Sequence, residues 1–178
     1  MGEKNVINWS ENNFLTWSDF KAESNPAVFE DSHSVIKYHC TWIVDSEKLG
    51  RDIVFLIDNI QIAVEFHPVL SWVRESEKTE SLLKHEQGHF DLGELVKDEN
   101  LEKIQETFYH RQYPTRGQNE EQRKQFAKED SGKIIYEEIE KLEKILSDRR
   151  LEYDKLTNFG ENKEQQQKFN ELFEKLRV

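Results

Sequence analysis

The sequence predicts an α+β fold in which a small antiparallel sheet in the N-terminal half packs on a long helix and on further helices that follow it. Two observations carry this. Residues 35–66 are rich in β-branched and aromatic side chains with stretches of period-two alternation. From Thr79 onward the apolar residues recur at helical spacing instead. The chain therefore reads as one domain over 1–178, mainly β over 1–75 and mainly α over 79–178.

Taken in order, Trp17-Ser18-Asp19-Phe20 offers two aromatics that can anchor an N-terminal segment. Val35–Val44 has strand composition, and Ile60, Ile62, Val64 and Phe66 alternate within a second strand over Ile53–Phe66. Asp58-Asn59 reads as a turn or bulge inside that strand, and the polar segment Asp45–Asp52 with Gly50 as the hairpin loop between the two.

Thr79 is placed to cap the first helix, with Glu80 in its first turn, where a carboxylate favours the positive end of the helix dipole. Leu82, His85, His89, Leu92, Val96, Leu101, Ile104 and Phe108 carry the helical period towards Arg111, and Tyr113–Gly117 ends it. A second helical stretch spans Glu120–Leu151, with an interruption expected near Asp130-Ser131-Gly132; Ile135, Ile139, Leu142 and Leu146 form its apolar face. Asn158-Phe159-Gly160 is a turn, followed by a last amphipathic helix with Phe169, Leu172, Phe173 and Leu176. No internal repeat is visible.

Composition limits the function classes. Hydrophobic residues make up 35% and charged residues 34%, so the core is modest and the surface heavily ionised. A formal charge of −11 argues against nucleic acid or an anionic membrane as the main partner, because both repel an acidic surface. The single cysteine, Cys40, rules out an internal disulfide framework. No stretch reaches the length of a membrane span, and no signal-peptide pattern opens the sequence. A soluble, cytoplasmic protein is expected from the chain as written, and a periplasmic or secreted one if a leader precedes it.

The chemistry concentrates in His85-Glu86-Gln87-Gly88-His89. Residues four apart share one helix face, so two imidazoles can meet one cation. Glu86, beside the first histidine, is placed to take a proton from a water activated by that cation. Gly88 is expected to let strand and helix approach closely, and Gln61–Phe66 to act as the edge strand beside the motif helix. A catalytic zinc needs a third protein ligand. On a regular helix Asp91 lies about 200° and Glu94 about 140° from His89, so neither shares the site. His67 at the strand end is one candidate; His33 and His39 qualify only if the β-region folds over the site.

The chain also resembles the bacterial predicted secreted zinc-dependent proteases, domain of unknown function 922. The resembling residues are Leu15–Phe20, Ser71-Trp72-Val73, Leu82–Leu92 continuing to Glu94-Leu95, and Tyr153-Asp154 with Thr157 ahead of a Gln-rich helix at Gln165–Gln167. The resemblance implies a zincin-like fold, zinc (Zn2+) held by His85 and His89, and proteolysis of a peptide or protein substrate with Glu86 as the base. In one respect the chain departs from the pattern. Relatives tend to carry a histidine two positions after the threonine, where this chain has Phe159. From the same segment, Asp154 is a candidate third ligand and Tyr153 a candidate for polarising the scissile carbonyl.

Three functions are open at this point. The first is a zinc metallopeptidase, the second a catalytically inactive relative that binds a peptide or protein, and the third a metal-dependent hydrolase of another substrate. Phe159 favours the second, and the intact Glu86 opposes it.

Overall fold

A computed structural model describes residues 5–178 of the chain. The larger sheet is antiparallel, with β4 (Asp52–Phe66) between β3 (Ile36–Leu49) and β1 (Ile7–Asn8); β6 (Tyr113–Pro114) pairs with β4 at its start. A second small sheet pairs β2 (Ser32–His33) with β5 (Trp72–Val73). Three helices follow: α1 (Glu80–Phe108), α2 (Glu120–Thr157) and α3 (Lys163–Glu174). The expected α+β class stands. None of the helices is long and apolar enough to cross a membrane, among the described residues.

The expected alternation in β4 is realised: Ile60, Ile62, Val64 and Phe66 are all buried. The Phe66 ring meets Phe90 of α1 at 5.9 Å and Phe20 at 5.1 Å, and Phe20 in turn meets Trp17 at 4.9 Å. The two aromatics of the N-terminal segment thus tie it to the core. Asn59 adopts a left-handed φ of 49°, and the β3–β4 register shifts between Thr41 and Ile43, so the bulge falls where Asp58-Asn59 places it.

Three expectations need correction. Asp45–Asp52 is not a loop: the ladder continues to Leu49↔Asp52, and only Gly50-Arg51 turn, with Gly50 at φ +65°. The polar strands persist there because β6 covers β4, with Tyr113 stacked on Phe55 at 5.2 Å. Likewise α2 runs unbroken through Asp130-Ser131-Gly132. Ser131 is buried, accepts from Trp42 Nε1 at 2.9 Å and donates to Lys128 O, while Gly132 leaves room for the same indole. The small residues let the helix pass over Trp42; they do not end it. Finally, Gln61–Phe66 is an edge only in part: β1 covers Glu65 and Phe66, while Gln61–Ala63 pair with β3 alone among the described residues.

Helix α1 is the axis of the molecule. Thr79 caps it by accepting from Leu82 N. Every residue from His85 to Glu94 is buried, on all sides of the helix. One side rests on the sheet, where a Cβ on Gly93 would come within 2.8 Å of Val64 Cγ1. The opposite side meets α2 and α3, where a Cβ on Gly88 would lie 2.1 Å from the Tyr153 hydroxyl. The close approach at Gly88 is therefore to the helices and not, as expected, to a strand.

Candidate metal centre

An enclosed helix that carries polar side chains must find each of them a partner, since an unpaired buried polar group costs about 1–3 kcal/mol. Gln87 and Asp91 are met by the N-terminal segment: Leu15 N donates to Gln87 Oε1, and Trp9 Nε1 to Asp91 Oδ1. Arg177 Nη2 also donates to Asp91. Asp91 thus lies away from the histidines, as helix geometry predicts.

His85 and His89 face α2. Their Nε2 atoms lie 2.9 and 2.7 Å from the same Asp154 oxygen, and the donor atoms of the three residues all fall within 4.8 Å of one another. Both histidines are buried and Asp154 is half-buried. Burial pushes the Asp154 carboxyl up, but the hydrogen bonds from His85 and His89 outweigh it and hold the group well below the usual carboxylate range. Burial pushes His89 down, and the Arg150 cation adds to this. Burial raises Glu86, but the neighbouring His89 and the Ser32 hydrogen bond outweigh it, so it too sits below its ordinary value.

His85 is seated with particular care. Its ring stacks on Tyr153 at 4.6 Å and 6°, and its Nδ1 faces Gln166 Oε1 at 2.9 Å. The Gln166 amide has a single sensible orientation, because its Nε2 donates to the Tyr153 hydroxyl and to Asn170 Oδ1. On the far side Gly160, at φ +90°, packs on His85 so closely that a Cβ there would meet His85 Cβ at 3.0 Å.

Two observations show that these donors suit a cation. A ligating histidine normally turns its other ring nitrogen to an acceptor, as His85 Nδ1 is turned to Gln166 Oε1, and the Nε2 atoms of both histidines converge on Asp154. Beside the histidines Glu86 is 4% exposed: its Oε1 accepts from Ser32 Oγ at 2.6 Å, while its Oε2 is buried without a hydrogen-bond partner. An orphan carboxylate oxygen at such a place implies a water or ion beside it. The cluster can hold a metal ion.

The other sequence candidates separate clearly. Asp154 joins the two histidines. His67 does not: Phe66 points to α1, so the next residue of the extended chain points away, and His67 Nε2 lies 3.2 Å from Glu65 instead. Tyr153 is fully buried, its hydroxyl donating to His85 O at 2.9 Å and accepting from Gln166, so it supports His85 and does not line the cleft. His39 is exposed on β3 and outside the cluster, whereas His33 lines the adjoining cleft. Phe159, in a left-handed conformation at φ 55°, stands at the cleft rim with its ring 6.5 Å from His85.

That cleft, about 600 Å3, opens onto Glu86, His89 and Asp154 between the start of β3 and helix α2. A larger recess of about 920 Å3, under the hairpin between Trp42, Phe55 and Ala127, holds none of the cluster residues. Gln166, Arg150 and Ser32 were not singled out from the sequence as site residues. Each is a polar residue in a polar stretch, and only the fold reveals its partner.

The molecule is thus an α+β protein whose central helix presents two histidines to a carboxylate from a second helix, with Glu86 beside them. Comparison of the chain with protein-family models, with curated proteins and with solved structures finds no match.

Proposed function

We propose that this chain is a zinc-dependent peptidase and a member of the predicted secreted zinc-dependent protease family it resembles. The observation that carries the proposal is the meeting of Asp154 with His85 and His89 beside a buried, half-unpaired Glu86. His85, His89 and Asp154 would hold the ion. A bound zinc supplies Lewis acidity that acidifies a water and polarises a carbonyl.

The chain's own residues do the rest. Ser32 fixes Glu86 through Oε1, which leaves Oε2 to take a proton and pass it to the leaving amine. The edge strand β3 begins at the cleft with Ile36 and Lys37, which suits an extended peptide lying against it. Leu146, Leu151 and Phe159 give the cleft an apolar wall for substrate side chains.

The test combines elemental analysis with a peptide-library screen. About one zinc per chain, lost in His85→Ala/His89→Ala, together with cleavage that Glu86→Gln abolishes while retaining zinc, is the expected result. Zinc without cleavage in the native chain would favour the peptide-binding relative, a reading that Phe159 at the rim supports. Absence of zinc after adding it back would overturn the metal reading itself.

A further inference from the structure

The recess under the hairpin, about 920 Å3, is long and apolar at its floor. Trp42 donates to Ser131 of α2, so the even-numbered residues in this half of β3 turn towards the helix: Trp42, Val44, Ser46 and Lys48. Across the ladder Ser46 lies opposite Phe55 and Lys48 opposite Ile53, which adds two apolar side chains to the same face. Ala127 of α2 closes the far side. From Trp42 to Lys48 the strand covers roughly 20 Å, and the volume is that of a small-molecule site.

Positive charge gathers at the hairpin end. Lys48 and Arg123 line the recess there, and Arg123 also lines a smaller recess that it shares with Arg51. Asp45 and Glu47 border the recess too, but they alternate with Val44, Ser46 and Lys48 and so project from the opposite face of the strand. Glu120 is taken up by Lys124 at 3.2 Å. Among the described residues Lys48, Arg51 and Arg123 have no ion pair, and neither arginine side chain has a hydrogen bond. Every other arginine has a partner: Arg74, Arg116, Arg149, Arg150 and Arg177 donate hydrogen bonds, and Arg111 lies over the Tyr113 ring. With 36 acidic against 25 basic residues in the chain, acids are plentiful, yet none is turned to this end of the recess.

We propose that the recess binds an elongated amphipathic anion, a carboxylate on an unbranched apolar chain. The carboxylate lies between Arg123 and Lys48, and the chain runs over Phe55 and Val44 towards Trp42. Arg123 offers the planar fork that matches a carboxylate, and Lys48 a flexible point charge. The apolar floor holds the chain, so affinity rises with its length. The recess contains none of the metal cluster, and the proposal stands whether or not the cluster binds zinc.

The probe is decanoate, titrated into the full chain by calorimetry with tryptophan fluorescence followed in parallel. Saturable binding of one decanoate per chain is expected, with octanoate about tenfold weaker. Arg123→Glu should weaken decanoate by about tenfold or more, and decyltrimethylammonium should not bind. Because the Arg123 side chain holds nothing else in place, this variant should keep the native unfolding midpoint. Trp42→Phe should bind decanoate but lose the fluorescence change. The absence of saturable binding to the native chain up to about 1 mM overturns the proposal. So does equal affinity in Arg123→Glu, or a fluorescence change that survives in Trp42→Phe and thereby places the ligand elsewhere. A native chain that takes no decanoate but sediments as a dimer, with Arg123→Glu monomeric, assigns the recess to a second copy and overturns it as well.

Discussion

Gly88 and Tyr153 meet so closely that a methyl group on the glycine would sit 2.1 Å from the tyrosine hydroxyl and 2.8 Å from its ring carbon. The contact joins the motif helix to α2 at the level of the histidines. It also links the spacing of the motif to the seat of His85, since the same hydroxyl bonds the His85 carbonyl and Gln166.

Gly88→Ala should therefore destabilise the protein. In an ordinary helix interior the exchange gains about 0.5–1 kcal/mol from reduced backbone entropy. Here the methyl displaces a fully buried ring that cannot swing to solvent, and overpacking of that kind costs about 1–3 kcal/mol. The clash wins. A denaturation midpoint no lower than native would show that Tyr153 can yield without loss.

On the proposed zinc site, Gln166→Leu should weaken zinc binding by about 10–100-fold while the fold survives, because His85 loses the acceptor that fixes its ring. The substitution also leaves the Tyr153 hydroxyl and Asn170 short of a partner each, so a modest loss of stability accompanies it. Chelator competition reads the first effect and thermal unfolding the second. Unchanged zinc affinity would remove Gln166 from the site.

Arg177→Ala should cost about 2 kcal/mol, judged against the 3–5 kcal/mol typical of breaking a buried ion pair. The reduction reflects Asp91, which keeps Trp9 and Gln87 as donors. Arg177 also donates to Ser10 O and Glu11 O and lies over the Phe14 ring at 4.2 Å, so the N-terminal segment should loosen with it. Faster amide exchange at Leu15, whose N–H bonds Gln87, is the local sign to look for.

Cys40 should react slowly in the folded chain. Burial pushes its thiol up to about 11 from an ordinary 9.0, so at pH 8 the reactive thiolate is on the order of 100-fold scarcer than at an unshifted thiol. Raising the pH towards 11 restores it, and denaturant restores it at pH 8. Rapid iodoacetamide labelling of native protein at pH 8 would contradict the burial.

Much of this architecture is legible in the residues. Period-two burial in β4 and the Thr79 cap follow from local rules that a strand face and a helix end obey wherever they occur. The misreadings have a common cause. Asp45–Asp52 looks like a loop and Asp130-Ser131-Gly132 like a break only when the residues packed on them, Tyr113 and Trp42, are left out. Polarity and small size are local properties, and their meaning is set by neighbours distant in sequence.

The sequence by itself determined that His85 and His89 share one face of a helix with Glu86 beside them, because residues four apart on a 3.6-residue repeat point the same way. It excluded Asp91 from the histidine face on the same ground. Only the tertiary structure decided between Asp154 and His67: α2 brings the aspartate 69 residues downstream against His85, while the pleat of the chain turns His67 away. It alone decided that Gln166 meets the Nδ1 of His85 and that Arg150 meets the Nδ1 of His89. Helical spacing fixes which side chains leave one backbone together, whereas partners from separate elements are fixed by packing.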